Sequence, residues 1–227
     1  MKRGLLLGGF VMGFAAAAAL GLAPQKAGDS HGTGGKSNEH GAAGGAAGQH
    51  DGAPPMSPEQ AAMMQAWTEY MTPGDEHARL AKMAGNWECD VKMFMAPGEP
   101  PTESKATAKY AMGMGGRYLI EHVDGDFMGS PFEGMGITGY DNAAKQYVFA
   151  WIDSVGTGIM RGTGTYDADH KVLNTQSWTV DPMTGKEKKA RGRETYVDAD
   201  TKIAEMWDTL PDGTEFKMME ITYRRKK

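Results

Sequence analysis

Two charged residues stand in strand-like segments among apolar neighbours, and they are the first candidates for binding chemistry. Arg161 follows Ile159 at a spacing of two residues, and Glu205 lies between Ile203 and Trp207 in the same alternation. Because side chains alternate between the faces of a strand, each charge shares a face with a large apolar residue. If these faces point inward, the charges must be paired or bind something, whereas outward-facing charges are ordinarily solvated.

We predict the inward arrangement, in which Arg161 and Glu205 join a polar network on an inner wall with Arg193 or Glu220 nearby. A guanidinium group suits carboxylates. The predicted ligand is therefore a small amphipathic molecule with an anionic or hydrogen-bonding head at Arg161 and an apolar body against tryptophans. The predicted ligand-binding residues are Arg161, Glu205, Trp151, Trp207, Tyr118, Arg193 and Glu220.

A second candidate is the stretch GYDNAAKQYVFAWIDS, residues 139–154, which has an acid near each end, Asp141 and Asp153. Both acids stand at strand ends, where Asp commonly forms turns. We therefore interpret the stretch first as a hairpin, second as one wall of a ligand site and only third as a catalytic segment.

The sequence has no HExxH motif and no glycine-rich loop that opens a helix. We therefore predict a protein that is not an enzyme and holds no cofactor or metal.

Composition limits the partners and the redox chemistry. The chain has 227 residues, 40% of them hydrophobic, with a formal charge of −5 and a pI near 5.7. That balance provides no basic surface for a phosphate backbone, so nucleic acid is not an expected partner. The single cysteine, Cys89, excludes an intrachain disulfide.

The amino-terminal part of the chain reads as a leader and a linker. Lys2 and Arg3 precede an apolar run at residues 5–22, so residues 1–27 are predicted to be a signal peptide or an uncleaved membrane anchor. Residues 28–56 are mostly Gly, Ala, His, Ser and Asp, which predicts a disordered linker. The expected location is outside the cytoplasm, periplasmic or secreted in a bacterium, and membrane contact is expected only through an uncleaved leader.

Residues 57–84 are predicted to be a helical lead-in to the folded domain. Ser57 is placed as a helix N-cap, with a proline at the first helical position and Gln60 three residues after the cap. A second start signal occurs at residues 72–75, and Gly85 is placed to end that helix. One or two short helices should therefore precede the sheet.

Residues 85–227 show the alternation of strands. Trp87, Cys89, Val91 and Met93 fall on one face of the first strand. About ten such segments with turn-forming residues between them indicate an antiparallel barrel or sandwich, and glycines within strands favour an up-and-down barrel. After the first strand, the predicted segments are 106–112, 118–123, 132–140, 146–153, 158–166, 172–180, 187–197, 203–210 and 216–224.

Several segments of this region also resemble a known family. They are GGRYL at 115–119, PFEGMGITGYDNAAKQYVFAWIDSVGTG at 131–158, GTY at 164–166, DPMTGK at 181–186 and DGTEFKMMEITYRR at 212–225. Together they resemble the uncharacterised bacterial DUF1579 family. The resemblance implies a lipocalin-like, or calycin, barrel, and it implies no particular activity.

Barrels of this size can enclose one small ligand, so binding in the lumen is the leading functional class. One alternative is a haem-binding barrel of the nitrobindin type, for which His122 is the only strand histidine that could enter the lumen. Another is an envelope interaction or scaffold protein that holds no ligand. The oligomeric state is not predicted.

Overall fold

The computed structural model describes residues 56–210 and 212–227. The predicted leader and the predicted linker, apart from Met56, lie outside the described residues. Within the described part, no helix combines the length and the apolar character needed to cross a membrane.

Two short helices precede the sheet, as predicted. Helix α1 (Pro58–Met71) begins at a capping box, in which the Ser57 hydroxyl accepts from the Gln60 amide at 3.2 Å. The Gln60 side chain accepts in return from the Ser57 amide at 2.9 Å. Helix α2 (Asp75–Ala81) buries His77 and Leu80, whereas α1 buries no residue.

Ten antiparallel strands follow, and they close into a barrel in which each strand pairs with its neighbours in sequence and the first pairs with the last. This arrangement confirms the prediction of a ten-stranded up-and-down barrel. The strands are β1 (Gly85–Met93), β2 (Thr102–Gly113), β3 (Tyr118–Phe127), β4 (Ser130–Asp141), β5 (Gln146–Asp153), β6 (Met160–Asp167), β7 (Val172–Val180), β8 (Glu187–Tyr196), β9 (Thr201–Thr209) and β10 (Glu215–Arg225).

The stretch 139–154 is a hairpin between β4 and β5, as predicted. Asp141 Oδ1 accepts the amides of residues 143 and 144 in the turn. Asp153 Oδ1 likewise accepts the amides of residues 155 and 156 after β5. Each acid therefore satisfies the backbone of its own turn.

The barrel has two different ends because successive strands run in opposite directions. At the helix end, α2 leads into β1 and packs against β2, β3 and β4. At the hairpin end lie the connections that follow the odd-numbered strands, from β1–β2 to β9–β10. The helix end is therefore covered by α2.

A packed core fills the barrel beside α2. Trp87 is 1% exposed, and its indole nitrogen donates to the Met83 carbonyl at 3.0 Å. The Tyr147 hydroxyl donates to Glu76 of α2, and the Arg79 guanidinium stacks 3.8 Å from the centre of the Tyr166 ring. Aromatic packing and polar contacts together fix the helix over this end.

Glycines within strands make room for aromatic rings on the inner wall. A Cβ atom at Gly162 would lie 2.1 Å from Phe149 Cζ, and one at Gly134 would lie 2.3 Å from Trp151 Cζ2. Any larger residue would displace these rings. The strand glycines therefore shape the interior as well as the curvature.

Candidate functional site

An internal cavity of about 240 Å³ lies in the barrel. It runs from the core beside α2 to residues at the strand ends of the hairpin end, such as Met93 of β1 and Phe127 of β3. Small apolar pockets of this kind are the usual place for a ligand in a β-barrel.

Most of the cavity wall is apolar. Side chains from alternate positions of many strands contribute to it, and four methionines are among them. The apolar lining includes Val91, Met93, Val123, Phe127, Phe132, Phe149, Trp151, Met160, Met206, Met219 and Ile221.

Charged and hydroxyl groups also line the cavity, and we call Tyr110, Glu121, Glu194, Tyr196 and Lys202 the inner polar cluster. The Tyr110 hydroxyl donates to Glu121. Glu194 Oε2 accepts from Lys202 Nζ at 3.0 Å and from the Tyr196 hydroxyl at 3.2 Å. Lys202 is only 4% exposed, so its pair with Glu194 is an interior ion pair.

The surroundings shift the proton affinities of the cluster. Desolvation raises the pKa of Glu121, and repulsion from Glu194 adds to this, while Lys202 and the Tyr110 hydrogen bond oppose it. Burial, followed by the charge of Glu121, holds the pKa of Tyr110 well above its ordinary value. Tyr110 therefore stays protonated and remains a hydrogen-bond donor.

The cysteine also lies on the inner wall. Cys89 is 3% exposed and borders the cavity. Desolvation raises the pKa of its thiol to about 12. A thiol in this state is neutral and weakly nucleophilic at physiological pH.

The predicted inward position of Arg161 is wrong. The Arg161 guanidinium pairs with Glu187, and their side chains are 67% and 49% exposed. Strand β6 begins at Met160, which lines the cavity, so alternation turns Arg161 outward. Ile159 precedes the strand and is itself 67% exposed, so it does not mark an inner face.

Three other predicted residues do come together, but on the outer face. Glu205 pairs with Arg193 and, at 3.1 Å, with Lys217, which also contacts Glu220. Glu205 is next to Ala204, an inner-face residue of β9, and therefore points the other way. Arg193 and Glu205 border the cavity wall, but the Glu205 carboxylate is engaged by both Arg193 and Lys217. The predicted inner network is thus an outer one.

The predicted aromatic residues divide between the two faces. Trp151 lines the cavity, and its indole nitrogen donates to Asp153 at 2.9 Å. Tyr118 is 38% exposed and adjoins the inner-face residue Leu119. Trp207 lies on the outer face, where the Arg191 guanidinium stacks 3.8 Å from its ring centre. Only Trp151 of these three is placed to contact a ligand in the cavity.

The inner polar cluster was not predicted from the sequence. Glu121 alternates with Leu119 and Val123, so the same argument applied to Glu205 could have singled it out. Lys202 alternates with Ala204 and Met206, but the other face of β9 is equally apolar. The residue pattern of β9 therefore does not indicate that the face carrying Lys202 points into the barrel.

Histidine ligation in the lumen has no geometric support. His122 is exposed on the opposite face of β3 from Glu121. No histidine among the described residues lines the cavity. In the same part of the chain, no cluster of three or more His, Cys, Asp or Glu residues could hold a metal ion.

Comparisons with known proteins identify a family and a similar fold. A family model described as "Protein of unknown function (DUF1579)" matches residues 72–225. The crystal structure of Rv2717c from M. tuberculosis is similar at 14% identity and a TM-score of 0.53, over 69% of this chain and 100% of that chain. A redesigned beta barrel is 14% identical over 65% of this chain and 95% of its own, with a TM-score of 0.35. No curated protein matches the sequence. At 14% identity, the likeness to Rv2717c shows the fold alone.

Proposed function

This chain belongs to the DUF1579 family of proteins of unknown function, and we propose that it binds a small amphipathic molecule inside its barrel. The observation that carries this proposal is the cavity of about 240 Å³, with an apolar wall and one polar cluster. Ligand sites commonly combine these features, since apolar surface supplies affinity and a few polar groups fix orientation.

The size of the cavity indicates a small ligand. Pockets for drug-sized molecules are about 300–1,000 Å³, which is larger than the 240 Å³ here. A single short hydrocarbon chain with one polar end fits this space better than a lipid with two chains. The polar end would lie at Glu121 and Lys202, and the apolar end would lie toward Met93 and Phe127 at the hairpin end.

We further propose that binding occurs without catalysis. Asp141 and Asp153 are occupied in turns. Glu194 and Lys202 are paired with each other. Burial keeps the Cys89 thiol protonated, because it raises the thiol pKa to about 12. These contacts favour a binding role for the interior groups.

Export is part of the same proposal. Lys2 and Arg3 followed by the apolar run of residues 5–22 support a periplasmic or secreted location. The lipocalin-like character implied by the family resemblance also supports a binding role. Sequencing the amino terminus of the mature protein would identify the cleavage site.

Calorimetric titration with 1-octanol tests the proposed function. We expect saturable binding to the full-length protein. Ala204→Phe adds a ring on the inner face of β9 and should weaken octanol binding at least about tenfold, since overfilling a site removes the space for the ligand. Ile203→Phe is the matched control, because it adds a ring to the neighbouring outer-face position and should leave the affinity unchanged.

Two results would contradict lumen binding. One is an absence of saturable binding to the unmodified protein by octanol and by eight-carbon analogues with a charged head. The other is equal octanol affinity in both phenylalanine variants while thermal melts show that both are folded. Mass spectrometry of small molecules extracted from natively purified protein would then identify any natural occupant.

A further inference from the structure

The charged groups on the inner wall indicate which kind of polar end the ligand should have. The inner polar cluster has two carboxyl groups, Glu121 and Glu194, and one ammonium group, Lys202. We infer that the polar end of the ligand is an organic ammonium group that binds beside Glu121 and Trp151. This inference rests on the proposed function and specifies the ligand class.

The two carboxyl groups differ in how fully they are engaged. Glu194 accepts hydrogen bonds from Lys202 and Tyr196. Within the described part of the chain, Glu121 accepts a side-chain hydrogen bond from the Tyr110 hydroxyl alone. A carboxylate has about four acceptor positions, and an ammonium group has three donors. Glu121 accepts fewer hydrogen bonds than Glu194 and, unlike Glu194, forms no ion pair with a described residue, so it has the greater capacity for a cationic ligand.

An aromatic ring lies next to that carboxylate. A Cβ atom at Gly136 would be 3.2 Å from both Glu121 Oε2 and Trp151 Cε3. The carboxylate oxygen and the indole ring thus both border the space above Gly136. An aromatic face beside a carboxylate suits an organic cation, which gains from both the charge and the ring quadrupole.

An anionic head group is disfavoured at the same place. Glu121 and Glu194 would both repel a carboxylate, and Lys202 is already paired with Glu194 at 3.0 Å. Arg161, the residue predicted to hold an anion, lies on the outer face with Glu187. The expected head group is therefore cationic, whereas the sequence predicted an anionic or hydrogen-bonding one.

Protonation of Glu121 should control the interaction. Desolvation raises the pKa of Glu121, so its negative charge is lost at a higher pH than in an exposed glutamate. Ammonium binding should weaken as the pH falls through this raised pKa. The titratable groups that act on Glu121 from other strands of the barrel are Cys89, Tyr110, Glu194, Lys202 and Tyr223.

Three probes with the same chain and different head charges test the inference: octylammonium, 1-octanol and octanoate. Octylammonium should bind at least about tenfold more tightly than octanol at pH 7, because a charged ammonium donor bonds a carboxylate more strongly than a neutral hydroxyl does. Octanoate should bind most weakly of the three. Acidification should weaken octylammonium binding and leave octanol binding unchanged.

Glu121→Gln isolates the carboxylate because Gln retains an acceptor for the Tyr110 hydroxyl. It should lower octylammonium affinity about tenfold, remove the pH dependence and change octanol affinity by less than about twofold. Glu187→Gln is the matched control on the outer face and should change none of these affinities.

The outcomes separate the two proposals. If none of the three probes binds, the proposed function fails. If octanol binds as tightly as octylammonium, lumen binding stands and the ammonium inference fails. The same holds if octanoate binds more tightly than octylammonium. The inference also fails if the octylammonium affinity of the unmodified protein does not depend on pH, a readout that needs no variant to fold.

Discussion

Lys202→Met is expected to lower the free energy of unfolding by about 3 kcal/mol, the lower end of the cost of removing one partner of a buried ion pair, because the Glu194 side chain is 30% exposed. Lys202 is 4% exposed, and its ammonium lies 3.0 Å from Glu194 Oε2. Methionine preserves most of the apolar stem, so the loss should come from the uncompensated carboxyl groups. Urea denaturation at pH 7 measures the change.

Two comparison variants separate charge from packing in this experiment. Arg161→Met removes a cation whose side chain is 67% exposed and should cost less than about 0.5 kcal/mol. The double variant Lys202→Met with Glu194→Gln should recover at least about 1 kcal/mol, because the unpaired carboxylate is gone. Equal costs for Lys202→Met and Arg161→Met would contradict the interior position of the pair.

Trp87→Ala should lower the free energy of unfolding by a similar amount, about 3–5 kcal/mol. Trp87 is 1% exposed, and its indole nitrogen donates to Met83 at 3.0 Å. The Arg225 guanidinium lies 4.2 Å from the ring centre. Alanine would leave a cavity where the core meets the end of the barrel that α2 covers.

Trp67→Ala provides the matched control for the same substitution. Trp67 lies on α1 and is 57% exposed, so its loss should change stability by less than about 0.5 kcal/mol. Thermal melts of both variants make the comparison. A small effect at Trp87, comparable to that at Trp67, would show that the barrel does not depend on this core.

Local patterns were sufficient to predict the elements of the fold. Ser57, Pro58 and Gln60 carry the complete start signal of α1, and the structure contains both hydrogen bonds of the capping box. The alternation of Trp87, Cys89 and the residues after them predicts β1 and its inner face. These signals depend only on neighbours in sequence, which is why they are reliable without knowledge of the tertiary structure.

The direction in which a strand faces was harder to predict. Both faces of β9 carry apolar residues, Ile203 and Trp207 on one and Ala204 and Met206 on the other. Trp207 can lie on the outer face because Arg191 covers it. Arg191 lies on a different strand, β8, so no local sequence pattern in β9 reveals this contact.

The inner polar cluster shows the same dependence on long-range contacts. Glu121 lies on β3, Glu194 on β8 and Lys202 on β9, so closure of the barrel is needed to bring the three together. Buried charges contribute little net stability compared with apolar residues of similar volume. Their presence in a mainly apolar cavity supports the proposal that the cavity binds a ligand.

The most direct test of lumen binding is a methyl NMR titration of methionine-labelled protein with 1-octanol. Met83, Met93, Met160, Met206 and Met219 line the cavity, whereas Met63, Met64, Met114 and Met183 are among the exposed methionines. We expect saturable shifts of the five cavity methyl resonances and no change in these four exposed ones. Unchanged cavity resonances, with shifts confined to exposed methionines, would contradict binding inside the barrel.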